Sequence, residues 1–135
     1  MSLVGFSAPA LAQAVDLAAP TPEGVALRIA ADQNGAVFVT QTGDQIAVEL
    51  MSNAGTGGAW VVSEQPAFMG EATQLTAPAR ALLGGRPLIG APRWDVFVFA
   101  ITGPGVGDLL FTKLGPVRSG DSTPAETFRV TITAQ

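Results

Sequence analysis

An enzyme built on this sequence would have to work with carboxylates, arginines or its single lysine, Lys113. Asp95 and Asp108 are candidates for a paired-carboxylate acid and base. That chemistry needs a defined separation between the two groups, which twelve intervening positions do not fix. Asp108, Asp121 and Glu126 offer oxygen ligands for a hard cation, but their spacing follows no calcium loop, and solvated loop charges are the better reading. Histidine and cysteine are absent. A Ser-His-Asp site, a thiolate nucleophile, a thiolate metal centre and any disulfide are therefore excluded. The glycine run Gly103 to Gly107 lacks the following Lys-Ser/Thr and the helix that a phosphate-cradling loop opens, so it reads as a turn between strands. The expectation is a protein that is not an enzyme and that carries no cofactor and no metal.

Binding remains, and one stretch is shaped for it. Ser52-Asn53-Ala54-Gly55-Thr56-Gly57-Gly58-Ala59-Trp60 stands between two strand patterns. Its glycines give access to backbone conformations that other residues resist, and Asn53 suits a turn. Trp60 restarts the apolar pattern and suits the centre of a sandwich core. Trp94, where a loop enters a strand after Pro92 and Arg93, is placed either in the core or at a rim.

The frame that must position these loops is legible from hydrophobic period. Val25, Leu27 and Ile29 alternate with more polar neighbours; so do Ile46, Val48 and Leu50, and again Phe128, Val130 and Ile132. Asn34-Gly35 is a tight-turn dipeptide. Trp94 to Ile101 is apolar on both faces, as a central strand is. Phe68 to Leu75 suits a short strand, Leu109 to Lys113 another, and Gly115 to Thr127 a long polar loop. Thr76 to Leu83, rich in alanine and stopped by Gly84-Gly85, suits a helix of one or two turns. Seven or eight short strands with almost no helix predict an all-β fold, an immunoglobulin-like antiparallel β-sandwich, with a small closed barrel as the second choice.

The 135 residues suffice for one domain, and 47% hydrophobic against 13% charged composition argues for a packed core. A net charge of −4 without a basic cluster (Arg80 and Arg86 come nearest) disfavours a nucleic-acid partner. Leu3 to Ala14 is apolar or small and ends in Ala12-Gln13-Ala14, the small-x-small form of a signal-peptidase site, so residues 1–20 read as a truncated signal remnant and disordered linker. The segment is too short to span a membrane. Residues 21–135 are expected to be the domain, monomeric and periplasmic or secreted.

From Asn34 to Gln135 the sequence resembles the chagasin family of cysteine-peptidase inhibitors. The shared features are the Asn34-Gly35-Ala36 turn, the Gly43-Asp44 turn into Gln45 to Leu50, and the loop Asn53 to Trp60, which keeps the Asn, a Thr, the Gly and the Trp of the family's Asn-Pro-Thr-Thr-Gly-aromatic-x-Trp. A second family loop is similar to Ile89 to Trp94, and the third, Arg-Pro-Trp, falls at Gly115-Pro116-Val117. Departures occur at Ala54, Gly55 and Gly58 in the first loop, at Pro92 and Arg93 in the second, and at Gly115 and Val117 in the third.

The resemblance implies an immunoglobulin-like sandwich whose three loops plug the cleft of a papain-like cysteine peptidase by steric occlusion. The implied contacts are Asn53, Ala54, Gly55, Thr56, Gly57 and Gly58 in the first loop. Gly90, Ala91, Pro92, Arg93 and Trp94 follow in the second, and Gly115, Pro116 and Val117 in the third. The alternative is a non-inhibitory extracytoplasmic protein-binding module on the same fold.

Overall fold

The computed structural model describes residues 14–53, 58–82, 91–114 and 124–135. Among these residues ten strands follow one another: β1 (Ala14–Asp16), β2 (Leu27–Ala30), β3 (Val37–Thr40), β4 (Gln45–Asn53), β5 (Ala59–Glu64), β6 (Thr73–Pro78), β7 (Arg80–Leu82), β8 (Pro92–Ala100), β9 (Gly105–Leu114) and β10 (Pro124–Ala134). A one-turn 3-10 helix, Ala31–Gln33, follows β2.

Eight of these strands form two four-stranded sheets, ordered β2-β4-β8-β6 and β3-β10-β9-β5, and β1 pairs with β7 in a separate ribbon. The sandwich inferred from sequence is thus present, with one difference of detail. Its inner pairs are antiparallel, but β2 runs parallel to β4 and β3 parallel to β10.

Period-two alternation places one side chain in two against the opposite sheet. Ile46, Val48 and Leu50 of β4 and Phe97 and Phe99 of β8 meet Leu109 and Phe111 of β9 and Phe128, Val130 and Ile132 of β10. Phe111 is the hub. Its ring centroid lies 5.0 Å from that of Phe97 and 6.2 Å from those of Phe99 and Phe128, in tilted and edge-on contacts that suit aromatic quadrupoles.

At the far end of β9, Gly105 has φ +155, and a Cβ there would come within 2.7 Å of the Phe68 ring. Only glycine fits, because the ring packs onto the bare backbone.

The expected polar loop Gly115 to Thr127 is shorter, because β10 already begins at Pro124, and β9 begins inside the glycine run, at Gly105. Two further expectations fail. Thr76 to Leu82 is not helical: Thr73–Pro78 and Arg80–Leu82 are strands, and Leu83 lies outside the described residues. Alanine favours helix intrinsically, yet here the pairing of β6 with β8 and of β7 with β1 decides. The second concerns residues 14–20, expected as linker. β1 pairs with β7, the Leu17 amide donates to the Ala79 carbonyl at 2.8 Å, and Ala19 packs with Val25, Leu75 and Trp94 over Ala47, Val96 and Val98. This N-terminal segment covers the outer face of the β2-β4-β8-β6 sheet, which is why β4 is buried on both faces from Ile46 to Leu50. The signal-like stretch before it lies outside the described residues.

Candidate functional site

Strand register fixes where the three expected loops begin and end. Asn53, at the end of β4, pairs with Pro92, at the start of β8. In the other sheet Ala59 of β5 and Pro124 of β10 both pair with Leu114, the last residue of β9. The β4–β5, β7–β8 and β9–β10 connections therefore all leave from the same end of the sandwich. Ala54, Gly55, Thr56, Gly57, Gly90, Gly115, Pro116 and Val117 lie outside the described residues, and their flanking residues define the site.

Those flanks are braced. Trp60 on β5 is 5% exposed, and its Nε1–H donates to the Met51 carbonyl of β4 at 2.8 Å, joining the two sheets just below the first loop. Lys113, the cross-strand partner of Trp60, holds its ammonium 5.6 Å from the Trp60 ring and 2.8 Å from Glu126 Oε1. The sole lysine is thus occupied as a brace. Gly58 is buried against it: a Cβ there would touch the Lys113 stem at 3.4 Å. The family's aromatic at this position is replaced by glycine where Lys113 fills the adjoining space.

Facing this brace from the other sheet is a polar group that sequence reasoning did not foresee. Ser52 and Asp95 are 2% and 1% exposed, and Arg93 Nε lies 3.8 Å from Asp95 Oδ1, beyond hydrogen-bond range. Ser52 Oγ, Arg93 Nε and both Asp95 carboxylate oxygens are buried without a hydrogen-bond partner among the described residues. Its sequence signal is the inward register of Arg93 and Asp95 with Phe97 and Phe99. Polar residues continue an apolar face to its end.

The second-loop residues divide. Pro92, Arg93 and Trp94 belong to β8, with Ala91 just before it. Arg93 points into the sandwich toward Asp95, whereas Trp94 is half-buried on the outer face and donates its Nε1–H to the Leu17 carbonyl at 2.9 Å. Trp94 is a rim residue tied to the N-terminal segment.

Catalysis finds no support. Asp95 is buried inside, while Asp108 accepts from Thr131 Oγ1 at 2.8 Å and lies 3.5 Å from Arg129 on the opposite sheet. The two carboxylates make no pair. Among the described residues no group of three potential metal ligands occurs.

The sandwich thus gathers the roots of three connections at one pole. The family is given by sequence: the model of the chagasin family of peptidase inhibitors, I42, matches residues 39–132, from β3 into β10. The chain belongs to that family, whose members are protease inhibitors and not enzymes.

Solved structures agree on the fold. The cysteine protease inhibitor EhICP2 of Entamoeba histolytica superposes with TM-score 0.66 at 15% identity, covering 83% of this chain and 100% of that one. Amebosin follows with TM-score 0.55 at 18% identity, covering 81% and 97%. PbICP-C, in a structure of its complex with falcipain-2, has TM-score 0.51 at 17% identity and covers 80% and 98%. None of the curated proteins matches the chain.

Proposed function

We propose that this protein inhibits papain-like cysteine peptidases by filling the active-site cleft with its three loops. Asn53 to Gly58 enters beside the nucleophile with Thr56 at its centre, and Gly90 to Trp94 and Gly115 to Val117 hold the cleft walls. No residue of the inhibitor performs chemistry. Its contribution is a preformed shape, which lowers the ordering cost of association. The observation that carries this reading is the convergence of the loop roots, Asn53 with Pro92 and Leu114 with Ala59 and Pro124, at one end of the sandwich. Family membership and the likeness to PbICP-C, solved with falcipain-2, point the same way. We take the protein to act as a monomer in the periplasm or outside the cell.

One observation favours a second reading, a non-inhibitory binding module on this fold: Arg93 and Trp94 are committed to Asp95 and Leu17 rather than offered at the tip. Titrating papain-like peptidases with the protein separates the two. Stoichiometric, reversible loss of activity at micromolar protein or below is expected. Full activity in the presence of a folded sample at that concentration refutes inhibition of those enzymes and leaves the binding module.

A further inference from the structure

A depression of about 330 Å³ opens on the outer face of the β2-β4-β8-β6 sheet, lined by Ala30, Ala31, Asp32, Glu49, Met51 and Trp94. Its position follows from register. Met51 and Trp94 are cross-strand partners two residues behind the Asn53–Pro92 pair, so the depression flanks the loop end. Glu49 pairs with Ala30, and the turn Ala31–Gln33 forms the far wall.

Each part of the lining selects the same kind of guest. Trp94 is held by its Nε1–H bond to Leu17, and Met51, 44% exposed, flanks it with a polarisable thioether. An aromatic ring beside a flexible apolar side chain suits an aliphatic stem that ends in a cation. Charge settles the sign. Glu49 is 8% exposed, and its Oε2 accepts from Arg28 Nε at 2.7 Å and from the Thr21 hydroxyl, so its charge is already matched. The hydrogen bond to Glu49, and then the charge attraction, raise the Arg28 pKa above its ordinary value. Asp32 is exposed and has no ion pair among the described residues. It leaves the depression one negative charge in excess.

We infer that this depression seats a lysine or arginine side chain presented by the protein docked at the loop end. The stem lies against Trp94 and Met51, and the cation lies over the Trp94 ring within reach of the Asp32 carboxylate. The site adds to the proposed inhibition a preference for partners with a basic residue on the rim beside the cleft. It rests on that reading only for the identity of the partner.

The test needs no peptidase. The folded full chain is titrated with Nα-acetyl-arginine amide and, separately, with the uncharged isostere Nα-acetyl-citrulline amide. The indole N–H resonances of Trp94 and Trp60 are followed by NMR, with Trp94→Phe used for assignment. The expected result is a saturable shift of Trp94 and none of Trp60, with citrulline at least about five-fold weaker, as for loss of one exposed charge pair worth ~1 kcal/mol. Asp32→Asn, a substitution at an exposed side chain, removes the arginine preference by the same factor. Equal response to the two probes, or no saturable shift of Trp94, overturns the inference. A protein that takes arginine in this way but inhibits no peptidase supports the site and refutes the inhibitor reading.

Discussion

Replacing Trp60 by Phe keeps an aromatic ring in the core but removes the indole N–H and half of the bicycle. The N–H bond to the Met51 carbonyl joins one sheet to the other at 2.8 Å, and its loss costs about 1 kcal/mol. Trp60 is 5% exposed, so the missing atoms leave a gap of a few methylenes, costing about 2 kcal/mol. Weaker attraction of Lys113 to the smaller ring adds roughly 0.5 kcal/mol. The total is about 3.5 kcal/mol, a large share of the roughly 5–15 kcal/mol that holds an ordinary domain together. For a chain of this size that lowers Tm by roughly 10 °C. Urea unfolding with an unchanged m-value, alongside calorimetry, measures it. Trp94→Phe is the control, because its bond to Leu17 is exposed, and a loss below ~1 kcal/mol is expected. A Trp60→Phe protein within about 0.5 kcal/mol of the parent refutes the view that this side chain braces the loop end.

Two further perturbations test the frame. Gly105→Ala puts a methyl 2.7 Å from the Phe68 ring at a φ that alanine resists, and a loss of about 2–3 kcal/mol by thermal unfolding is expected; an unchanged Tm contradicts the close packing. Removing residues 1–20 strips the β1–β7 pairing and the Ala19 contact from the face formed by Ala47, Val96 and Val98, costing about 2 kcal/mol and increasing binding of a hydrophobic dye. A shortened protein as stable as the parent returns those residues to the role of linker.

How much of this was readable in advance depends on the distance over which each residue is decided. Ile46, Val48 and Leu50, or Phe128, Val130 and Ile132, reveal their buried face through local alternation alone, and the structure buries all six. Ala77 and Ala81 carry no such pattern. Their strand state is imposed by β8 and by β1, the latter more than sixty positions away, and helix propensity misleads. Leu17 and Ala19 were equally silent, since a segment laid across a sheet face needs no periodicity of its own. In the candidate site, the loops stood out through glycine, proline and asparagine. The polar set of Ser52, Arg93 and Asp95 did not, because only the register of β4 against β8 brings it together.

The parallel pairing of β3 with β10 bears on how the molecule comes to be assembled. β10 lies inside its sheet, between β3 and β9, and the Thr40 hydroxyl bonds the Thr133 carbonyl across 93 positions of chain. Until Pro124 to Ala134 is available, β3 has no neighbour in that sheet, and one whole edge of β9 stands open. Early collapse can therefore gather β4, β8 and β6, while the second layer waits for a closure whose entropy cost comes before its reward. During that interval Phe111 and its aromatic partners are covered from one side only, and the open edge of β9 is a template for a strand from another molecule. The step most exposed to aggregation is thus the docking of β10, and substitutions that loosen Phe128, Val130 or Ile132 are expected to lower soluble yield before they lower the melting temperature of the protein that does fold.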